Sequence, residues 1–290
     1  MRKLGAYVEL MRPLHWVKNS FVLAGVIFGH AWDDHATLAA ALVVTLAFCL
    51  ASSAAYAFND CLDAAQDRDH PDKRDRPVAR GAVSEREAQA IAAFLAAASL
   101  ALAFTIGAVA GAIVAVYLVL NLGYTLGLKR MPVLDVFVIA SGFMLRLLAG
   151  TSGIGVEPSQ WLLACGFLLT LFLGFAKRRA ELSRLAEDAA QHRVVLEAYT
   201  TVFLDRAILV CATGMIVCYA LYTVSPDTVA LHGTAHLVVT LPWVLLGTFR
   251  YLFRLHFRGG GGDPAVEVLR DPILAFAGVG WIGTVLWLIS

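Results

Sequence analysis

Charge is scarce in this chain. Asp, Glu, Lys and Arg together make up 16% of its 290 residues, against about 25% in an ordinary soluble domain, and the run 36–58 holds none. That is too little to clothe a water-exposed surface, so the composition turns the reading toward the membrane. Cysteine is thin as well: five residues (Cys49, Cys61, Cys165, Cys211, Cys218), no CxxC pair, four of them inside apolar runs. They read as small hydrophobes, which excludes a disulfide framework or a thiolate metal site. The GGGG at 259–262 lacks the Lys-Ser/Thr of a phosphate-binding loop and reads as a linker. The first 16 residues carry charge and no continuous apolar core, so no cleavable signal peptide is expected. They read as a short amphipathic helix lying on the membrane surface. The net charge of +1 identifies no partner, and no nucleic acid is expected among them.

What the chain does hold is apolar length. Hydrophobic residues reach 59% and the mean hydropathy is +0.71. About 20 apolar residues cross a bilayer as a helix, and nine segments qualify: 17–33, 36–58, 87–106, 108–126, 133–151, 159–176, 202–223, 236–254 and 272–289. The first is the weakest, with Lys18 and Asn19 at its start. The expected fold is therefore all-α, a single polytopic domain over 1–290 with nine transmembrane helices. Basic residues mark cytoplasmic loops. Every Lys and Arg except Arg146 falls in the N-terminal arm or in alternate connections, and the connections near 34, 107, 155 and 228 have none. This places the N-terminus and the loops 59–86 and 177–201 in the cytoplasm and the C-terminus outside, in a bacterial-type inner membrane.

Acid is concentrated in one place. Residues 59–77 read NDCLDAAQDRDHPDKRDRP and hold six aspartates. Asp60, Asp63 and Asp67, at i, i+3 and i+7, share one face of a helix that continues the second span, and Asn59 extends the column. Asp69 turns to the far side and Cys61 points away. Like charges at this spacing repel, so the column calls for a cation. Hard oxygen ligands favour Mg²⁺ or Ca²⁺, and Mg²⁺ commonly combines one or two carboxylates with water and substrate phosphate. The basic run that follows, with Lys73, Arg74 and Arg76, suits the remaining oxygens of a polyphosphate. A solvated loop whose acids pair with neighbouring Arg and Lys is the plainer alternative. The pair His232 and His236 has helical metal spacing but no third ligand, and reads as a surface pair.

Four blocks together resemble one family: RPLHWVKN at 12–19, NDxxDxxxDRxHPxKRxRP at 59–77, YTLGLKRMPVLDVFVIASGFMLR at 124–146 and FAKRRAEL at 175–182. They resemble the UbiA superfamily of intramembrane prenyltransferases, and within it the decaprenyl-phosphate phosphoribosyltransferase branch. The resemblance implies a UbiA-type helical bundle with a cytoplasm-facing site and Mg²⁺ as cofactor. It implies transfer of 5-phosphoribose from phosphoribosyl diphosphate (PRPP) to a polyprenyl phosphate, in cell-wall biogenesis. It makes Asp60, Asp63 and Asp67 the catalytic carboxylates, with Asn59 as a fourth metal ligand, and makes Tyr124 and Lys129, with Arg130, candidate phosphate ligands.

Aromatic-acceptor members of that superfamily carry a second aspartate-rich motif after the sixth span. Here KRRAELSRLAEDAAQHR stands in its place, with Lys177, Glu181 and Arg184 on one helical face. Lys177 and Glu181 are candidate substrate contacts, and positive-inside charge accounts for Arg178, Arg179 and Arg193. Asp135, a further candidate substrate contact, opens the fifth span, and Arg146 lies about 16 Å further along it. A lone Arg near the midplane costs about 2.5–3.5 kcal/mol, so it is expected to face a substrate cavity or to pair with an acid. Lys18 and Asn19 are expected to close the site from the first span. Two other functions remain open. One is prenyl transfer from a prenyl diphosphate to an aromatic acceptor, and the other is transport of an anion. Oligomeric state is not legible.

Overall fold

The structure, a computed structural model, describes residues 2–29, 31–71, 73–185, 194–257 and 270–289. The GGGG linker, Glu187, Asp188, Arg193 and Arg258 lie outside the described residues, and of Arg184 only the backbone is described. The described residues form helices and turns with no strand, in two compact units.

Unit 1 comprises Met1–Lys129 and Gly142–Pro158. It holds α1 (Arg2–Met11), a 3-10 helix (Pro13–Ser20), α2 (Phe21–Phe28), α3 (His35–Leu62), α4 (Ala64–Asp69), α5 (Glu85–Ile106) and α6 (Ala108–Leu126). Asp34 starts α3 by accepting the backbone N–H groups of Ala36 and Thr37, and the Thr37 hydroxyl, with these bonds, holds its carboxyl below the usual range. Ser84 and Glu87 form a reciprocal capping box at the start of α5, a device worth about 1 kcal/mol. Around Val44 and Phe48 the buried face of α3 is rich in small residues: Ala41, Ala47, Ala51, Ser52, Ser53, Ala54 and Ala57. Small residues let membrane helices approach closely, and α5 packs along this face with Ala88, Ala92, Ser99 and Ala103. Gly107 alone separates α5 from α6, the short corner the sequence shows there.

The expected first span differs. Residues 17–33 do not form one long helix, because the polar Lys18-Asn19-Ser20 stretch belongs to the 3-10 helix and α2 is only 8 residues long. Eight helices, one fewer than expected, are long and apolar enough to cross a membrane among the described residues. α2 is instead held by backbone proximity: a Cβ on Gly25 would collide with the Gly150 carbonyl, and one on Gly150 with the Val22 carbonyl.

Unit 2 comprises Arg130–Ser141 and Ser159–Ser290. α7 (Leu134–Ala149) gives its first half to this unit and its second half to unit 1. α8 (Gln160–Leu185), α9 (Thr201–Val224), α10 (Pro226–His232), α11 (Leu241–Phe257) and α12 (Pro272–Ile289) complete it. Leu171, Phe172 and Phe175 of α8 pack with Leu204 and Ile208 of α9 and with Tyr251 and Leu255 of α11. α8 runs nine residues beyond the expected end of its span at 176, so the start of the 177–201 loop is helical. His232 and His236 are not a surface pair. Gly233, with φ +67, ends α10 between them, and His232 is buried 3.1 Å from Tyr222 Oη.

Candidate active site

The acidic column survives in the fold, with one correction to its path. α3 does not run on unbroken: Asp63 sits at φ −90, ψ 0 between α3 and α4. The helical bonds continue across this kink, Asp63 N to Asn59 O at 2.9 Å and Asp67 N to Asp63 O at 2.8 Å. The carboxylates therefore keep their order. Asp60 and Asp67 are 1% and 3% exposed, Asp63 is half-buried, and Asp69 faces solvent. Cys61 Sγ donates to the Glu85 carbonyl, on the α5 side and off the column.

Three basic side chains compensate the column. Lys129 Nζ meets both oxygens of Asp63 at 2.7 and 2.8 Å and Asn59 Oδ1 at 3.4 Å. Arg76 Nη1 bridges Asp67 Oδ2 at 2.7 Å and Asp60 Oδ1 at 3.2 Å. Arg12 Nη2 reaches the same Asp60 oxygen at 2.5 Å, with its guanidinium 5.0 Å from the Tyr56 ring centroid. The like-charge repulsion that seemed to demand a metal is met here by the chain's own cations. Among the described residues no three His, Cys, Asp or Glu side chains are gathered to hold a metal by themselves, because Arg76 and Lys129 stand at the carboxylates.

The donor set nevertheless fits Mg²⁺. Asp60 Oδ2 is buried and has no hydrogen-bond partner, while Oδ1 carries two guanidinium contacts. Buried polar atoms are nearly always satisfied, so this oxygen is the one left for a ligand. A hard cation that needs one or two carboxylates and completes its shell elsewhere matches that chemistry.

The other candidates are placed as follows. Lys73 is half-buried, and Arg74 is exposed on the turn before Arg76. Tyr124 is half-buried on the last turn of α6, five residues before Lys129, and Arg130 is exposed. Lys18 is exposed at the end of the 3-10 helix. Asn19, expected at the site's mouth, is fully buried, and its Oδ1 accepts from Arg146 Nε at 2.7 Å. Arg146 is 6% exposed. It donates to Tyr117 Oη at 2.9 Å and to the Gly142 carbonyl at 2.8 Å, and lies against the rings of Tyr117, Phe143 and Phe48. No carboxylate pairs with it among the described residues. Neutral dipoles and aromatic faces carry the charge instead, so the expectation of an acid partner is not met.

Unit 2 holds a second polar cluster. Asp135 is 0% exposed. Its Oδ2 accepts from Arg178 Nε at 2.7 Å and its Oδ1 from Tyr199 Oη at 2.7 Å. Arg178 Nη1 continues to Glu181 at 2.6 Å. Tyr199 Oη also accepts the N–H of Val133 at 2.6 Å, itself a β-branched residue held at φ +69. Burial and the adjacent Asp135 carboxylate push the Tyr199 phenol well above its usual range, so it stays protonated and donates. Asp135 and Glu181, expected to touch substrate, are thus engaged by Arg178, while Lys177 is exposed one residue away. Arg12, Arg178 and Tyr199, which the sequence does not single out, are the partners the fold supplies to Asp60 and Asp135. The block RPLHWVKN and the helical position of Arg178 were the available signals, but their partners are distant in sequence.

With this geometry in place, the comparisons agree. The model of the UbiA prenyltransferase family matches residues 19–265. The decaprenyl-phosphate phosphoribosyltransferase of Mycolicibacterium smegmatis is 35% identical over 288 residues, covering 96% of this chain and 90% of the relative. The enzyme of the same name from Mycobacterium tuberculosis is 33% identical over 282 residues, covering 96% and 92%. Among solved structures, a UbiA homologue from Archaeoglobus fulgidus bound to GPP and Mg²⁺ superposes with a TM-score of 0.74 at 20% identity, covering 98% of this chain and 99% of that one. The chain belongs to the UbiA prenyltransferase family. With eight helices of membrane-crossing length among the described residues it is an integral multi-pass membrane protein.

Proposed function

We propose that the chain is a phosphoribosyltransferase that moves 5-phosphoribose from PRPP to a polyprenyl phosphate, releasing diphosphate. The observation that carries this reading is the buried Asp60–Asp67 pair, with one free carboxylate oxygen, beside two part-exposed phosphate-type cations, Arg76 and Lys129. Its support in the comparisons is the pair of full-length relatives named for that activity. The family match runs through residues of both units, which supports one functional domain.

Asp60 and Asp67, with Asn59 and Asp63, hold Mg²⁺; when bound, the ion offsets the charge that grows on the departing diphosphate. Arg76 and Lys129 bind donor phosphate oxygens, and Lys73 and Arg74 extend the basic surface around them. Preorganised cations of this kind lower a barrier because they need not reorient as charge develops. Tyr124 and Lys18 belong to the same donor site in this reading, and Lys177 to the acceptor phosphate. The ribose C1–O bond to diphosphate breaks with its electron pair leaving on diphosphate, and C1 passes through an oxocarbenium-like state. An oxygen of the lipid phosphate forms the new bond to C1. It is already ionised at neutral pH, so no side chain has to remove a proton. Asn19, Arg146, Asp135 and Glu181 act as braces for the helices that carry these groups.

The 3-10 helix and α2 follow one another without a gap from Pro13 to Phe28. Together they reach about 28 Å, close to the hydrocarbon thickness of about 30 Å. This supports a ninth crossing; the basic residues of alternate connections support a cytoplasmic N-terminus and acidic column and an outer C-terminus.

The test uses purified protein, radiolabelled PRPP and polyprenyl phosphate in Mg²⁺, with geranyl diphosphate as competitor. Label is expected in a lipid product whose mass is polyprenyl-phosphoryl-5-phosphoribose, with little effect of geranyl diphosphate. Prenylation of an aromatic acceptor without ribose transfer, or movement of anion across sealed vesicles without product, would replace this reading with one of its rivals.

A further inference from the structure

Arg12 is placed with more care than a surface arginine requires. It lies between α1 and the 3-10 helix at φ 53, ψ 60, a left-handed conformation that costs a non-glycine residue about 1–3 kcal/mol and persists only where its surroundings impose it. Those surroundings are visible. Ser53 Oγ donates to the Met11 carbonyl at 2.8 Å on one side of Arg12 and accepts from Trp16 Nε1 at 3.0 Å on the other. A single α3 hydroxyl therefore fastens the chain before and after Arg12. α1 is clipped from outside as well, by Arg80 on Glu9 and by Lys3 on Glu87.

The result is a guanidinium held above Asp60. It shares Oδ1 with Arg76 and leaves buried Oδ2 without a partner. One N–H from each of two guanidiniums on one oxygen and none on the other is a poor arrangement for a permanent ion pair, since a carboxylate can accept a bidentate guanidinium on both oxygens. It suits a cation that keeps the carboxylate charged and in place until another ligand takes it.

We infer that Arg12 is a partner-exchanging residue of the donor site. It holds Asp60 in the metal-free protein and turns to a phosphate oxygen of the donor once Asp60 is given to a divalent cation. The inference rests on the phosphoribosyl-transfer reading for the identity of the donor, but not for the competition at Asp60. Removing Arg12 should then have opposite effects on the two ligands. The bare cation, freed of a competitor, binds more tightly. The diphosphate donor, deprived of a fork, binds less tightly.

Mn²⁺ alone is the first probe, titrated into detergent-solubilised full-length protein without donor and read by the EPR signal of free ion. Arg12→Gln is expected to tighten Mn²⁺ binding about tenfold, a change of ~1.4 kcal/mol, and to raise the KM for PRPP at saturating Mg²⁺ about tenfold or more, with kcat less affected. Unchanged or weaker Mn²⁺ binding in a folded Arg12→Gln protein overturns the inference. Should Arg12→Gln fail to fold, Arg12→Lys decides. It retains the charge at Asp60 but not the fork, so Mn²⁺ binding near that of the wild type with a raised KM for PRPP supports the exchange, and a KM for PRPP equal to that of the wild type overturns it. Wild-type protein that binds Mn²⁺ but does not react with PRPP would remove the donor assignment while leaving the Mn²⁺ comparison intact.

Discussion

Asp60 in unit 1 and Asp135 in unit 2 are both buried aspartates at the end of a helix, and both are paired with arginine, yet their surroundings differ in kind. Asp135 is closed on every side: one oxygen takes Arg178 and the other Tyr199, and Arg178 is itself buried. Asp60 has one crowded oxygen and one without a partner, and its arginines, Arg12 and Arg76, are part-exposed. A saturated buried pair resists change, because removing either member strands a charge in a dry interior. An unsaturated one beside part-exposed cations, which water can solvate once they let go, can change partners at lower cost. The same two residue types make a brace in one region and a candidate reaction site in the other, and what separates them is how many lone pairs are spoken for.

The sharpest way to break this comparison is at the column itself. Asp60→Ala and Asp67→Ala are each expected to lower turnover with PRPP by about 10³-fold or more while the purified protein keeps its helical signal and unfolding temperature. Full turnover in either variant would show that the unit 1 carboxylates are ordinary loop acids. The brace should respond the other way. Asp135→Ala leaves Arg178 buried without its main counter-ion, a loss of about 3–5 kcal/mol, read as a lowered unfolding temperature in detergent, whereas activity per folded molecule falls far less than at Asp60. Loss of activity without loss of stability would instead put Asp135 in contact with substrate.

The smallest expected effect sharpens the comparison with a third aspartate. Asp271 caps α12 through the N–H groups of Ile273 and Leu274 and takes both Arg250 and Arg254. Arg250 first, then these N–H groups and Arg254, hold its carboxyl below the usual range. A carboxyl depressed in the folded state contributes stability that is present above its unfolded value, near pH 4, and fades as pH falls below that. Unfolding temperature measured between pH 7 and pH 3 should fall more steeply for the wild type than for Asp271→Asn. Equal slopes would mean that Asp271 is not a brace of the Asp135 kind.

Much of the site could be read from spacing within one helix. The i, i+3, i+7 pattern of Asp60, Asp63 and Asp67 put them in one column, turned Asp69 outward and set Cys61 aside, and the kink at Asp63 did not undo this because the helical bonds run through it. Apolar length misled at the first span, where Lys18, Asn19 and Ser20 lie in a 3-10 helix and not in a continuous α-helix. It also said nothing of Arg178, which looked like positive-inside charge and is a buried brace.

The sequence by itself determined the membrane class, the helical architecture, the family and the acidic column, because apolar length, loop charge and intrahelical spacing are local properties. Only the tertiary structure decided which cations meet which acids. Arg12 reaches Asp60 across 48 residues and Arg178 reaches Asp135 across 43, and no periodicity links positions that far apart. Those pairings exist because packing brings separate helices together and a buried charge must find whatever partner packing supplies.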